Sequence, residues 1–72
     1  MITNSNVFDG QFLVSQKPME EVYRIHLRTI HGDEFLTGKL EEVEDGFITI
    51  SCTDQIKRKF YYEQVINVQV MK

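Results

Sequence analysis

Basic and aromatic side chains occur together in one short stretch of the chain, Lys57 to Tyr62. On a β-strand alternate residues share a face, which groups Lys57 with Lys59 and Tyr61. Two ammonium groups beside an exposed tyrosine could hold a phosphate backbone and stack one base. The alternative is a solvated strand whose lysines protect a sheet edge from pairing. The stretch is therefore a candidate site for single-stranded RNA.

The sequence offers no comparable set of residues for catalysis or metal binding. Cys52 stands among apolar residues with no neighbouring base to activate it, and no serine has a nucleophile motif. His26 and His31 lack the spacing of metal ligands. The acidic run from Glu41 to Asp45 lacks the spacing of a calcium loop and is typical of a solvated hairpin. We therefore expect no enzymatic activity, no catalytic residue, no metal and no cofactor.

Length and composition place these side chains on one small globular domain. The chain has 72 residues, of which 42% are apolar and 26% charged. The net charge is −3, but it is unevenly distributed. Residues 1–45 hold four basic and nine acidic groups, and residues 46–72 hold four basic and two acidic groups. An anionic partner should therefore contact the last third of the chain.

Cysteine content and the first residues bear on location. The single cysteine cannot form an internal disulfide, which favours a reducing, cytoplasmic setting. The first ten residues lack a basic region followed by an apolar run, so we expect no signal peptide. No apolar run approaches the length of a membrane helix, so we expect no membrane partner.

The elements that position these residues are mostly strands. Residues 1–21 are expected to form a tail, with either a short helix capped by Asp9 and packed through Phe12 and Leu13, or a short extended segment. Residues 22–72 are expected to form the domain. The alternation of apolar and polar residues predicts five strands, at 22–27, 34–43, 47–52, 56–63 and 65–70. Asp45-Gly46 predicts a hairpin turn, and Gly38 predicts a bend within the second predicted strand.

Five short strands with tight turns predict an all-β fold, a strongly bent, five-stranded antiparallel barrel that is closed or nearly closed. The same alternation predicts which side chains are buried. They are Tyr23, Ile25, Leu27, Leu36, Leu40, Val43, Ile48, Ile50, Phe60, Ile66 and Val68.

Residues 22–70 resemble the Sm-like family of small SH3-like barrels, which includes Lsm proteins and bacterial Hfq. The similarity lies in an apolar strand with Ile25 and Leu27, a turn at Gly32, and a bend glycine, Gly38, between two leucines. An acidic turn and a further apolar strand follow. The run from Phe35 to Ile50 also resembles the C-terminal Sm-like domain of the ribosome maturation factor RimP. The resemblance implies a ring-forming, RNA-binding protein.

The resemblance also implies candidate contacts for RNA. Asp45, or Glu44, corresponds to the family's uridine-reading aspartate, whereas Ile48 or a neighbour stands where the family has an asparagine. Tyr61-Tyr62-Glu63 corresponds to the Tyr-Lys-His run of Hfq, and its glutamate would repel phosphate. Uridine binding at the usual pore site therefore does not carry over. His26 lies on a strand face that some Sm-like rings use for contacts, which adds it to the candidates.

Self-association is expected through the last two predicted strands. In Sm-like proteins the fourth strand of one subunit pairs with the fifth strand of the next, and a ring of five to seven subunits results. The fifth predicted strand is uncharged and free of proline from Val65 to Val70, so its backbone could template another chain. The expected interface residues are Tyr61, Tyr62, Val65, Asn67 and Gln69. The expected function is a homo-oligomeric ring with weak single-stranded RNA binding; the alternative is a protein-interaction or assembly module that has lost the RNA site.

Overall fold

The structure, a computed structural model, describes residues 7–71 and is built almost entirely from antiparallel strands. The elements are β1 (Val7–Phe8), α1 (Gly10–Val14), β2 (Val22–Thr29), β3 (Gly32–Glu44), β4 (Phe47–Cys52), β5 (Lys57–Tyr61), a 3₁₀ turn (Tyr62–Gln64) and β6 (Val65–Met71). They form one sheet in the order β1-β6-β2-β3-β4-β5. The predicted all-β class is confirmed, with five main strands and one short additional strand.

The sheet does not close into the predicted barrel. A closed barrel would require β5 to pair with β6, but the second edge of β6 pairs with β1 instead. Val7 lies opposite Gln69, and Phe8 lies opposite Val68. Because β1 takes that edge, the sheet stays open, with β1 at one end and β5 at the other. The prediction of a closed or nearly closed barrel is therefore wrong.

The predicted short helix is confirmed as α1. Oδ1 of Asp9 accepts hydrogen bonds from the backbone N–H groups of Gln11 (3.1 Å) and Phe12 (3.4 Å), which caps the first turn. Leu13 is fully buried in the core. The Phe12 ring stacks on Phe8 at 3.9 Å between centroids. These contacts fasten residues 8–13 to the sheet.

The hairpin turn at Asp45-Gly46 is confirmed, and Gly38 marks a close approach of the neighbouring strand. Asp45 (φ 53°) and Gly46 (φ 82°) both have positive φ, as a primed hairpin turn requires. At Gly38 the neighbouring strand approaches so closely that an added Cβ would lie 2.3 Å from the carbonyl oxygen of Ser51. The register of β3 against β4 shifts between Leu40 and Glu42, which marks a bulge beside the close approach.

Nine of the eleven residues predicted to be buried lie in the core. Of the other two, Val43 is half-buried and Ile66 is 39% exposed. The cause for Ile66 is a register shift, because Leu27 pairs with Val65 and His26 pairs with Asn67. Ile66 is left without a partner, and Val65 turns into the core, where it is 8% exposed. The prediction that Val65 faces outward at a subunit interface is therefore wrong.

Candidate nucleic-acid interface

Lys57, Lys59 and Tyr61 lie on the outward face of β5, as the alternation predicts. Nζ of Lys57 lies 3.0 Å from a carboxylate oxygen of Glu41, so a paired carboxylate offsets its charge. Nζ of Lys59 lies 5.5 Å from the centre of the Phe47 ring. This face of β5 therefore offers an anion less positive charge than two isolated lysines would.

Tyr61 is held among aromatic rings and is half-buried. Its ring lies edge-on to Phe47 at 5.1 Å and tilted against Tyr62 at 5.0 Å. Gly46 packs against it so closely that a Cβ there would lie 2.8 Å from Cε1 of Tyr61. Of the residues in this aromatic row, Phe47 is 44% exposed and is the ring available to a base. Asp45 lies beside Tyr61 in the groove next to the turn.

His26 lies on β2, which β3 and β4 separate from β5 in the sheet. Opposite it stand Asn67 on β6 and Phe35 on β3. The His26 and Phe35 rings stack at 4.3 Å with an interplanar angle of 21°, and Phe35 is 64% exposed. The stack borders a cleft of about 180 Å³ that is lined by Arg24, Ile25, His26, Phe35, Asn67 and Gln69.

Polar atoms in this cleft are incompletely satisfied. Nε2 of His26 lies 3.0 Å from Oδ2 of Asp33, outside hydrogen-bond geometry, and the buried Oδ1 of Asn67 has no hydrogen-bond partner among residues 7–71. The Arg28 side chain is 74% exposed, and its Nε lies 3.8 Å from Oδ1 of Asp33. The cleft therefore combines an aromatic platform with amide groups and one exposed cation, Arg24, and Arg28 lies further along the same strand.

The structure thus divides the candidate residues between two places. Lys57, Lys59, Tyr61 and Asp45 lie at the β5 end of the sheet, and His26 lies with Asn67 and Gln69 near the β6 side. The candidate interface residues are divided in the same way, with Tyr61 and Tyr62 at one place and the two amides at the other.

Two residues of the His26 cleft, Phe35 and Arg24, were not among the candidates from the sequence. A signal existed for Phe35, because a phenylalanine on the polar side of an alternating strand is a ring directed outward. Arg24 lacked such a signal, since arginines are common on solvated strand faces. Only the register of β2 against β6 places Arg24 opposite Gln69.

Cys52 lies at the edge of a groove that includes Phe35, Ile56 and Arg58. Burial raises the pKa of its thiol, and Asp54 raises it further, whereas Arg58 acts in the opposite direction. A raised pKa keeps the thiol protonated and weakens it as a nucleophile. Within residues 7–71 no group of three His, Cys, Asp or Glu side chains is placed to hold a metal ion. In the same part of the chain no helix is both long and apolar enough to span a membrane.

Comparison with family models, with curated proteins and with solved structures yields no match to this chain.

Proposed function

We propose that the protein is an Sm-like RNA-binding protein whose site for single-stranded RNA is the His26 cleft. The observation that carries this proposal is the stacked His26–Phe35 pair, because a mostly exposed phenylalanine ring is a platform for an unpaired base. Stacking one base on such a ring contributes about 1–3 kcal/mol.

The surroundings of the stack suit a nucleotide. Arg24 and Arg28 are exposed on the same outward face of β2 as His26, and either guanidinium can bind a phosphate. The amides of Asn67 and Gln69 can exchange hydrogen bonds with the edge of a base. With so few cations, and Asp33 beside Arg28, affinity should be weak and should fall moderately with salt concentration.

The course of the chain supports the Sm-like assignment. The strands β2 to β5 are consecutive neighbours, and β6 returns beside β2. Gly38, at which the neighbouring strand approaches closely, lies within the long β3, as the family pattern implies. The apolar residues of that pattern are buried; they are Ile25, Leu27, Leu36, Leu40, Ile48 and Ile50.

Assembly into a ring of five to seven subunits, by pairing β5 of one copy with β6 of the next, remains part of the proposal. β5 is the last strand at one end of the sheet. The backbone N–H of Cys52 donates to the carbonyl oxygen of Ile56 at one end of its pairing with β4, and the N–H of Tyr62 donates to the carbonyl oxygen of Gly46 at the other end. By alternation, the backbone groups of Lys57 and Lys59 point to the open edge. On β6, however, β1 already pairs with Val68 and Gln69. Such a ring therefore requires β1 to leave, or pairing confined to Val65–Asn67.

Fluorescence anisotropy with labelled single-stranded U12 and A12 RNA at low salt tests the RNA site. Phe35→Leu should weaken binding roughly 5- to 150-fold, since it removes the stacking platform while keeping apolar bulk. Ile30→Ala is the matched control, because Ile30 is 94% exposed on a turn outside the cleft, and it should leave binding unchanged.

The same assay distinguishes the two candidate surfaces. A loss with Phe47→Leu or Lys57→Glu/Lys59→Glu, together with unchanged binding of Phe35→Leu, would move the site to β5. Failure of the folded wild-type protein to bind either RNA would favour the second candidate function, a protein-interaction or assembly module. That alternative is favoured by the Lys57–Glu41 pair, which reduces the positive charge offered by β5.

A further inference from the structure

Three aromatic side chains form a row: Phe47 on β4, Tyr61 on β5 and Tyr62 on the 3₁₀ turn. This aromatic row continues into a groove between α1 and the β3–β4 turn. The groove has a volume of about 490 Å³ and is lined by Gln11, Val14, Asp45, Gly46, Tyr61 and Tyr62. It lies at the end of the row away from Lys59, which sits over Phe47. The groove is therefore separate from the His26 cleft, and it shares Tyr61 and Asp45 with the candidate surface at β5.

Main-chain contacts hold the walls of this groove in place. The backbone N–H of Tyr62 donates a 2.9 Å hydrogen bond to the carbonyl oxygen of Gly46, which ties the 3₁₀ turn to the hairpin turn. On the other side α1 meets the same residue, because a Cβ on Gly10 would lie 2.0 Å from the carbonyl oxygen of Tyr62. A ligand would thus meet a preformed groove.

The charge around Tyr62 is uniformly negative. A second groove adjoins the first across Tyr62 and Gln11, and it adds Asp9 and Glu63 to the lining. Of the described residues, 7–71, those that line the two grooves include Asp9, Asp45 and Glu63, but no lysine, arginine or histidine. A phosphate would be repelled here, whereas a cation would be attracted.

The aromatic row already accepts a cation at its other end. Nζ of Lys59 lies 5.5 Å from the Phe47 ring centre, within cation–π range. Phe47, Tyr61 and Tyr62 follow one another at centroid distances of 5.1 and 5.0 Å. At the Tyr62 end, within the described part of the chain, no basic side chain lines the grooves.

We propose that this groove binds the guanidinium group of an arginine in a basic segment of a protein partner. A planar guanidinium can stack on the face of a tyrosine while it donates hydrogen bonds to a carboxylate, a combination that an ammonium group makes less well. Asp45 is the carboxylate on the turn, and Tyr61 and Tyr62 supply the faces. The same molecule would then contact RNA on one surface and a basic protein segment on another.

An NMR titration of ¹⁵N-labelled full-length protein with N-acetyl-arginine-amide tests this inference. Amide shifts should change at Gln11, Gly46 and Tyr62, with a dissociation constant in the millimolar range for a single side chain. The matched ligand is N-acetyl-citrulline-amide, which has nearly the same shape without the charge, and it should bind at least tenfold more weakly. Equal shifts with the two ligands, or shifts confined to the region of Asp33, would overturn the proposal.

Two aspartates on turns allow a matched pair of variants. Asp45→Asn should weaken arginine binding about 3- to 10-fold, and asparagine tolerates the positive φ of this position, so the fold is retained. Asp54→Asn alters an exposed aspartate on another turn and should leave binding unchanged. Unchanged affinity in Asp45→Asn, with a wild-type spectrum elsewhere, would also contradict the proposal. Phe35→Leu, which changes the His26 cleft and not this groove, should bind arginine as wild type does, and this separates the inference from the proposed function.

Discussion

At the scale of single residues, Tyr23 links burial to the response of the protein to alkali. Its side chain is 1% exposed, and burial raises the pKa of its hydroxyl, with smaller contributions from Glu21 and Glu20. Because the folded state resists ionisation, the stability that Tyr23 contributes is complete below about pH 10, the ordinary tyrosine pKa, and is lost as the pH rises through the raised value.

Tyr23→Phe should therefore reduce the loss of stability between pH 7 and pH 10.5. Urea denaturation at the two pH values gives the change in the free energy of unfolding for wild type and variant. Ile30→Ala is the control, because it changes an exposed side chain that does not titrate, and it should leave the pH dependence as in wild type. Equal pH dependence for Tyr23→Phe and wild type would show that the raised pKa of Tyr23 does not contribute to the loss of stability in alkali.

Cys52 gives a second prediction for a single residue. Burial and the nearby Asp54 raise the pKa of its thiol, so little thiolate is present at pH 8. Alkylation by iodoacetamide, followed by mass spectrometry, should be slower than that of glutathione. Asp54→Asn should speed the reaction, because it removes one cause of the raised pKa. A thiol that reacts faster than glutathione would instead indicate an activated cysteine.

At the scale of elements, the bulge in β6 determines that Val65, and not Ile66, is buried in the core. Val65→Ala should lower the free energy of unfolding by about 1–3 kcal/mol, because Val65 is buried and its truncation leaves a cavity. Ile66→Ala should lower it by less than about 1 kcal/mol, since Ile66 is 39% exposed. Denaturant midpoints measure both changes. A larger loss of stability for Ile66→Ala than for Val65→Ala would contradict the bulge, because it would indicate that Ile66 is buried, as the regular alternation in the sequence predicts.

The same strand shows the limit of prediction from the sequence. Strict alternation placed nine core residues correctly, eight on β2 to β5 and Val68 on β6, because alternate residues of a strand share a face. It failed at Ile66, since a bulge depends on how β6 meets β2 and not on β6 alone. The helix was recognisable from Asp9, but the burial of Leu13 depends on packing against residues more than fifty positions away.

The candidate sites could be predicted only in part, for a related reason. Lys57, Lys59 and Tyr61 share a face through local alternation, which a sequence reveals. The His26 cleft needs three strands, β6, β2 and β3, in a fixed register, because Phe35 and Asn67 reach His26 from different neighbours. The acidic groove likewise joins α1, a hairpin turn and the 3₁₀ turn. Neither combination follows from spacing along the chain.

At the scale of the whole molecule, the proposed ring depends on whether β1 stays paired with β6. The ring proposal predicts a mass of five to seven chains in size-exclusion chromatography with light scattering at micromolar concentration. Val68→Pro should lower that mass, because proline cannot donate a hydrogen bond from β6. Phe8→Asp should raise the assembled fraction, since it weakens the hold of β1 on the β6 edge.

The mass of the wild-type protein can also contradict the ring. A mass of one chain for wild type and for Phe8→Asp, with circular dichroism showing both folded, would remove the ring from the proposal. A mass of one chain for wild type, together with a larger mass for Phe8→Asp, would show that β1 blocks the edge of β6 under those conditions.

The position of β6 between β1 and β2 also sets the order of events when the chain folds. The hairpins β2–β3 and β3–β4 join neighbouring segments and can form early, whereas β6 must enter between two strands that precede it by more than thirty residues. Pairings between distant segments are slow to form, so we expect folding in milliseconds to seconds. During synthesis, β2 keeps an unpaired edge until residues 65–71 emerge. The nascent chain is therefore most exposed to aggregation just before its last strand is complete.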